Sequence, residues 1–286
     1  MSPLIRNVLL TFIAVLGVYE GALRLTAPRI DLGQDQFTTN IIRLENYVDH
    51  PEVGGTVIVG SSLAARIPGE SLGSGLENLS QAGGSALTGL EVVAAVPHAP
   101  KYVLIEINVL DKGVEPAIAK QVLDWPEPQL RALFWFYRTA YRPINLLVKQ
   151  VSTFVKKETR GPRTQRAPPN FKGLLAQRAH EFSKPPDNFL APNIARMGDL
   201  IRMLQAKGTT VVFFEMPVDR SLVNAPHSRD VRHAVEAAFD RRHFCWLTLD
   251  HGEAWQTGDG IHLLRQDAAS IGQRLINAPC IQSKPR

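Results

Sequence analysis

Thr56–Val57–Ile58–Val59–Gly60–Ser61–Ser62–Leu63 is the stretch that decides the architecture. Its first four residues, three of them apolar and β-branched, predict a strand buried on both faces, as in a parallel sheet. A Gly-Ser-Ser turn follows, after which Leu63–Ala64–Ala65–Arg66 can open a helix. A strand ending in this way sets a hydroxyl at the carboxyl edge of the sheet, where open α/β sheets bind their ligands. The turn also leaves backbone N–H groups unpaired beside that hydroxyl, which is how an oxyanion site begins. An ordinary βα turn with a serine cap has the same local sequence. The rest of the chain has to separate the two.

Outward from this stretch, strand and helix alternate. Leu87 to Val96 suits a short helix capped by Ser85 or Thr88. Tyr102–Val103–Leu104–Ile105–Glu106–Ile107 is the next clear strand. Asn193 to Gln205 carries Ile194, Met197, Ile201 and Leu204 at helical spacing and closes at Gly208. Thr210–Val211–Val212–Phe213–Phe214 is a third buried strand, stopping before Pro217. Arg229 to Asp240 is helical, Phe244 to Leu249 a strand, and Gln266 to Ile276 the last helix. Strands separated by helices imply a parallel sheet covered on both faces. The rhythm breaks between Lys112 and Pro192, which reads as an insertion. Leu130 to Tyr141 is an aromatic-rich helical stretch there, and a basic run from Lys149 to Arg166 forms a mobile loop. The expected plan is an anchor and linker over residues 1–30, then one domain over 31–286. That domain opens on a polar lead-in at 31–55 and carries the insertion at about 112–192.

The 286 residues are 44% apolar and 21% charged, values of a globular chain. Much of the net charge of +5 sits in the basic run. That run is either a solvated loop or a surface for anionic lipid or polymer. There is no internal repeat and no Cys/His set at zinc spacing, so no metal is expected. At the amino terminus Arg6 precedes the apolar run Val8 to Tyr19, the pattern of a segment inserted with its amino end in the cytoplasm. From Pro3 to Ala27 it is long enough to span if Glu20 and Arg24, four apart, pair at the interface. An uncleaved single-pass anchor is the favoured reading. A cleaved signal, with Gly21–Ala22 the best site, and a buried core helix are the others. Either of the first two places the domain outside the cytoplasm, where nucleic acid is not an expected partner. Cys245 and Cys280 fit an oxidising compartment either as a disulfide or as two buried thiols.

Thr257–Gly258–Asp259–Gly260–Ile261–His262–Leu263 supplies the remaining chemistry. A carboxylate three residues before a histidine can hold one imidazole N–H and leave the other nitrogen as a base. Asn78–Leu79–Ser80–Gln81–Ala82–Gly83–Gly84 offers a glycine whose N–H can approach a substrate closely. Asn108, directly after its strand, offers a side-chain amide at the same sheet edge as Ser62. Each also has a plain reading, as a capped loop, a turn glycine or a helix cap.

Gly60–Ser61–Ser62–Leu63, the run from Asn78 to Gly83, Glu106–Ile107–Asn108 and Asp259–Gly260–Ile261–His262 resemble, in this order, the blocks of the SGNH (GDSL) hydrolases. The resemblance covers most of residues 55–275 apart from the insertion. It implies a flavodoxin-like three-layer αβα sandwich with a central parallel sheet. It further implies Ser62 as nucleophile with Asp259 and His262, an oxyanion hole from the N–H groups of Ser62 and Gly83 and the amide of Asn108, and no cofactor. Ser61 stands where many members have aspartate, and Glu106 and Val109 replace the glycine and aspartate flanking the third-block asparagine. A Gly-Ser-Ser block behind a membrane segment resembles the branch acting on acyl groups of bacterial cell-envelope polymers. The implied setting is the periplasmic side of the inner membrane. The implied substrate is an O-acyl, chiefly O-acetyl, polysaccharide, acted on by hydrolysis or acyl transfer beside synthesis or export proteins. The α/β-hydrolase elbow fits less well, because Ala64 replaces its last glycine and the acid precedes the histidine by only three residues. Two further alternatives are a non-catalytic accessory protein on the same fold and a lipid esterase or thioesterase.

Overall fold

The computed structural model describes residues 2–26, 30, 33–50, 55–69, 72, 76–158, 167–249 and 255–282, with side chains at 152–158 and 282 left aside. Residues 159–166 of the expected basic loop, with Gly161–Pro162, therefore lie outside the described residues, as do 31–32 and 51–54 of the lead-in; residues 149–158, expected in that loop, are helical instead. Along the chain run α1 (Pro3–Thr26), α2 (Gln36–Asp49), β1 (Thr56–Val59), β2 (Leu76–Asn78), α3 (Ala86–Ala95) and β3 (Tyr102–Glu106). Then come α4 (Pro116–Leu123), α5 (Glu127–Leu133), α6 (Pro143–Glu158), α7 (Phe171–Phe182), α8 (Leu190–Ala206) and β4 (Thr210–Phe214). The last are α9 (Arg220–Val223), α10 (Pro226–Ala238), β5 (Cys245–Leu247), α11 (Arg265–Ile276) and α12 (Pro279–Gln282). Two compact units make up the chain: residues 50–120 with 162–286, and residues 1–49 with 121–161.

The larger unit is built on a five-stranded, all-parallel sheet in the order β2-β1-β3-β4-β5. Side chains alternate across it. Ile58, Leu104, Val212 and Phe214 share one buried cluster with Ala268, Ile271 and Leu275 of α11. The intervening Val57, Val59, Val103, Ile105 and Phe213 are equally buried. There α3 packs on β1 and α8 on β4. The three central strands are apolar from Val57 to Val59, Tyr102 to Ile105 and Val211 to Phe214 because both faces are covered. Ser85 caps α3, its hydroxyl accepting the Leu87 N–H at 3.3 Å. Cys245 in β5 and Cys280 in α12 form a disulfide.

In the smaller unit, α1 is long and apolar enough to cross a membrane. The expected polar lead-in contains α2, which buries Ile41, Ile42, Leu44 and Tyr47. The aromatic stretch from Leu130 to Tyr141 is not one helix: α5 stops at Leu133, and two 3-10 turns follow, Trp135–Tyr137 and Thr139–Tyr141. Side chains have taken the backbone donors a helix would need. The Glu20 carboxylate accepts the N–H groups of Trp135 and Phe136, both at 3.0 Å. The buried Glu45 carboxylate accepts that of Thr139 at 2.8 Å. Arg131, 1% exposed, donates to Asp49 and to the carbonyls of Gln121 and Val122.

Candidate active site

β1 lies between β2 and β3, so the chain leaves it in one direction and crosses back in the other. The carboxyl ends of β1 and β3 flank that reversal, which is where doubly wound sheets hold ligands. The register pairs Val59 with Ile105. One residue on, Gly60 lies beside Glu106.

The turn carrying Ser62 is held from below by Glu106. One carboxylate oxygen accepts the Ser61 N–H at 2.6 Å, and the other accepts the Asn108 N–H at 2.7 Å. Gly60 makes room for this arrangement: a Cβ there would lie 2.9 Å from Glu106 Oε2 and 2.8 Å from the Ala64 methyl. Burial pushes the Glu106 carboxyl above its ordinary range against those two donors, and the charge of Glu215 adds to the push. Asn78, at the end of β2, ties down the far side of the turn, its amide donating to the Ala64 carbonyl at 2.8 Å.

On the other side of the site a short antiparallel bridge between Thr257 and Leu263 pinches the loop that carries the histidine. Asp259 Oδ1 accepts the backbone N–H groups of Ile261 and His262 at 3.2 and 2.9 Å, which turns its Oδ2 towards the imidazole. His262 Nδ1 is 2.8 Å from Asp259 Oδ2, and Nε2 is 2.9 Å from Ser62 Oγ. With the Nδ1–H on the carboxylate, Nε2 is left to accept the serine proton. Burial alone would raise the Asp259 carboxyl. The backbone and ring N–H groups of His262, its charge and the Ile261 N–H outweigh burial and hold it at about 2. Burial pushes the His262 imidazole below its usual value; Asp259 opposes this, while Arg66 and Arg178 reinforce it.

The expected oxyanion donors are arranged less simply. Gly83 sits at φ +81°, a left-handed conformation that suits glycine. Among the described residues neither its N–H nor that of Ser62 has an acceptor. The Asn108 side chain is tied to β4's exit: its oxygen accepts the Met216 N–H at 2.7 Å and one amide N–H donates to the Met216 carbonyl at 3.0 Å. Its second amide N–H has no acceptor among the described residues.

Two residues at the site escaped the sequence reading. Glu106 was visible only as a departure from a pattern. Arg178, on α7, gave no signal at all, yet it donates to Asp259 Oδ2 at 3.1 Å across 81 positions. From the same helix Leu175 packs against Gly260, where an added Cβ would meet it at 2.6 Å. A recess of about 210 Å³ lined by Arg66, Gly258, Asp259, His262, Leu263 and Leu264 opens beside the imidazole. Among the described residues no group of acidic, histidine and cysteine side chains could hold a metal ion. No family model matches this chain, and no curated protein matches it.

Proposed function

We propose that this protein is a serine esterase of SGNH type, on the flavodoxin-like three-layer fold of that family. The observation that carries this reading is the hydrogen-bonded line Ser62–His262–Asp259, with separations of 2.9 and 2.8 Å. His262 takes the Ser62 proton as Oγ attacks an ester carbonyl, and Asp259 steadies the imidazolium that forms. The N–H groups of Ser62 and Gly83 and the spare N–H of Asn108 receive the oxyanion. His262 then protonates the leaving alcohol. Water, or an acceptor hydroxyl, releases the acyl group from Ser62.

The substrate proposed is an O-acetylated cell-envelope or exported polysaccharide, met on the periplasmic side of the inner membrane, with α1 as the single-pass anchor. The recess beside His262, at about 210 Å³, is smaller than the roughly 300–1,000 Å³ of pockets for drug-sized ligands, and suits a short acyl group. The disulfide between Cys245 and Cys280 suits an oxidising compartment. The test is the Ser62→Ala variant with p-nitrophenyl acetate and a fluorophosphonate probe. Loss of labelling and a fall in turnover of roughly 10⁴-fold or more are expected. A wild-type Ser62 that stays unlabelled in folded protein would leave an accessory, binding role. A rate that climbs with acyl length would point to a lipid esterase.

A further inference from the structure

Over residues 143–151, α6 turns large apolar side chains outward as well as inward. Its buried polar residue is Asn145, whose amide donates to the Thr139 carbonyl at 2.7 Å and whose oxygen accepts the Gln34 N–H at 2.9 Å. Ile144, Leu147 and Val151 are exposed by 46, 56 and 60%, with Pro143 and Gln150 exposed beside them. The first three recur at i, i+3 and i+7, which makes one stripe along the helix. A helix facing water has the opposite pattern, so a stripe of this kind calls for an apolar neighbour.

What that neighbour is follows from α1. A spanning helix needs about 20 residues to cross the hydrocarbon. Counted from Pro3, that length runs past Glu20, so Glu20 lies at the membrane boundary. Its carboxylate is satisfied there by Arg24 at 2.6 Å and by the Trp135 and Phe136 N–H groups at 3.0 Å. The aromatic turn is thereby held at the same level, with Leu133 and Phe134 exposed beside it. Tyr19 donates to the Tyr141 carbonyl at 2.5 Å, two residues before α6 begins, and Leu146 of α6 packs with Tyr19 and Leu23 on one small core. The charged residues in the sequence of α6 are Lys149, Lys156, Lys157 and, at its end, Glu158.

We infer that α6 is a second membrane element, lying in the lipid interface beside α1 with Ile144, Leu147 and Val151 against the acyl chains of an anionic bilayer. Interfacial helices of this type bury an apolar face at the headgroup boundary and carry lysine for the anionic surface. This assignment rests on the reading of α1 as a membrane anchor and not on the catalytic reading.

The experiment uses the full-length protein in nanodiscs of phosphatidylcholine and phosphatidylglycerol, one protein per disc. Leu147→Cys is labelled with the fluorophore NBD; the native cysteines are held in their disulfide and do not react. Leu147 is exposed, so the substitution leaves the fold intact. The expected result is strong quenching by lipids that carry a doxyl group high on the acyl chain, with the probe shielded from aqueous iodide. Iodide quenching as strong as for NBD on free cysteine overturns the inference. So does a probe shielded from iodide yet unquenched by doxyl lipid, since protein and not lipid would then cover the stripe.

Discussion

Arg178 and Asp259 meet at a shared oxygen: Oδ2 accepts the guanidinium N–H at 3.1 Å while also holding the His262 imidazole at 2.8 Å. A cation beside the pair works against the imidazolium, and Arg66 and burial act in the same direction. The base functions in its neutral form, so a lowered pKa keeps it active to a lower pH than ordinary imidazole would allow. In Arg178→Ala one opposing cation is gone, and His262 gains protons more readily. The acid limb of the pH profile of kcat/KM should move to higher pH. A limb that stays in place would show that Arg178 does not act on His262.

Asp259 itself should show in stability as well as in rate. Its carboxyl is held at about 2 in the folded state, against about 3.9 in an unfolded chain. A lowered carboxylate contributes stability that is complete above the unfolded value and is lost as pH falls through the folded one. Asp259→Asn should lower kcat by roughly 10⁴-fold. Of the stability it forgoes at neutral pH, about 2 kcal/mol is the part wild type loses between about pH 5 and 2. Denaturant titrations at pH 7 and pH 3 check the second effect, with the gap between variant and wild type narrowing at the lower pH.

Glu106 should prove a positioning residue. Its two oxygens take the N–H groups on either side of the site, those of Ser61 and Asn108. Glu106→Ala leaves both N–H groups without their acceptor, at a cost of about 1–3 kcal/mol each. Glu106→Gln keeps the shape but one oxygen only. We expect kcat to fall in both, further in alanine, with KM nearly unchanged. Partial recovery in glutamine separates loss of placement from loss of fold.

Arg131 holds the smaller unit together from inside. It is almost fully buried and lies 3.3 Å from Asp49 and 3.9 Å from Glu45. Arg131→Met leaves Glu45 without its cation and Asp49 with Arg138 alone, at 3.5 Å, and removing one partner of a buried pair costs about 3–5 kcal/mol. The unfolding of full-length protein in detergent should shift by that amount. Asp49→Asn together with Arg131→Met should recover part of it, which a plain packing defect would not.

Reduction tests the disulfide. Cys245 and Cys280 are 35 positions apart, and closing a loop of that length removes about 3–4 kcal/mol of unfolded-state entropy. A reducing agent, or Cys280→Ser, should lower the melting temperature. A melting temperature indifferent to both would mean the bond constrains nothing.

The sheet was legible because apolar runs such as Val57 to Val59 and Val211 to Phe214 encode burial on both faces locally. Ser62 and the Asp259–His262 pair were legible for a related reason: strand-end turns and a three-residue spacing are properties of neighbouring residues. Chain sequence alone therefore determined an α/β fold, an apolar amino-terminal helix and the chemical types at the site. Tertiary structure decided the rest. It broke the aromatic stretch after Leu133 into turns, because Glu20 and Glu45, far away in the chain, take the backbone donors a helix would use. It brought Arg178 to Asp259 and Glu106 under Ser61, and it tied Asn108 to Met216. Hydrogen bonds of that kind depend on distance in space, and no local pattern records which distant donor will arrive.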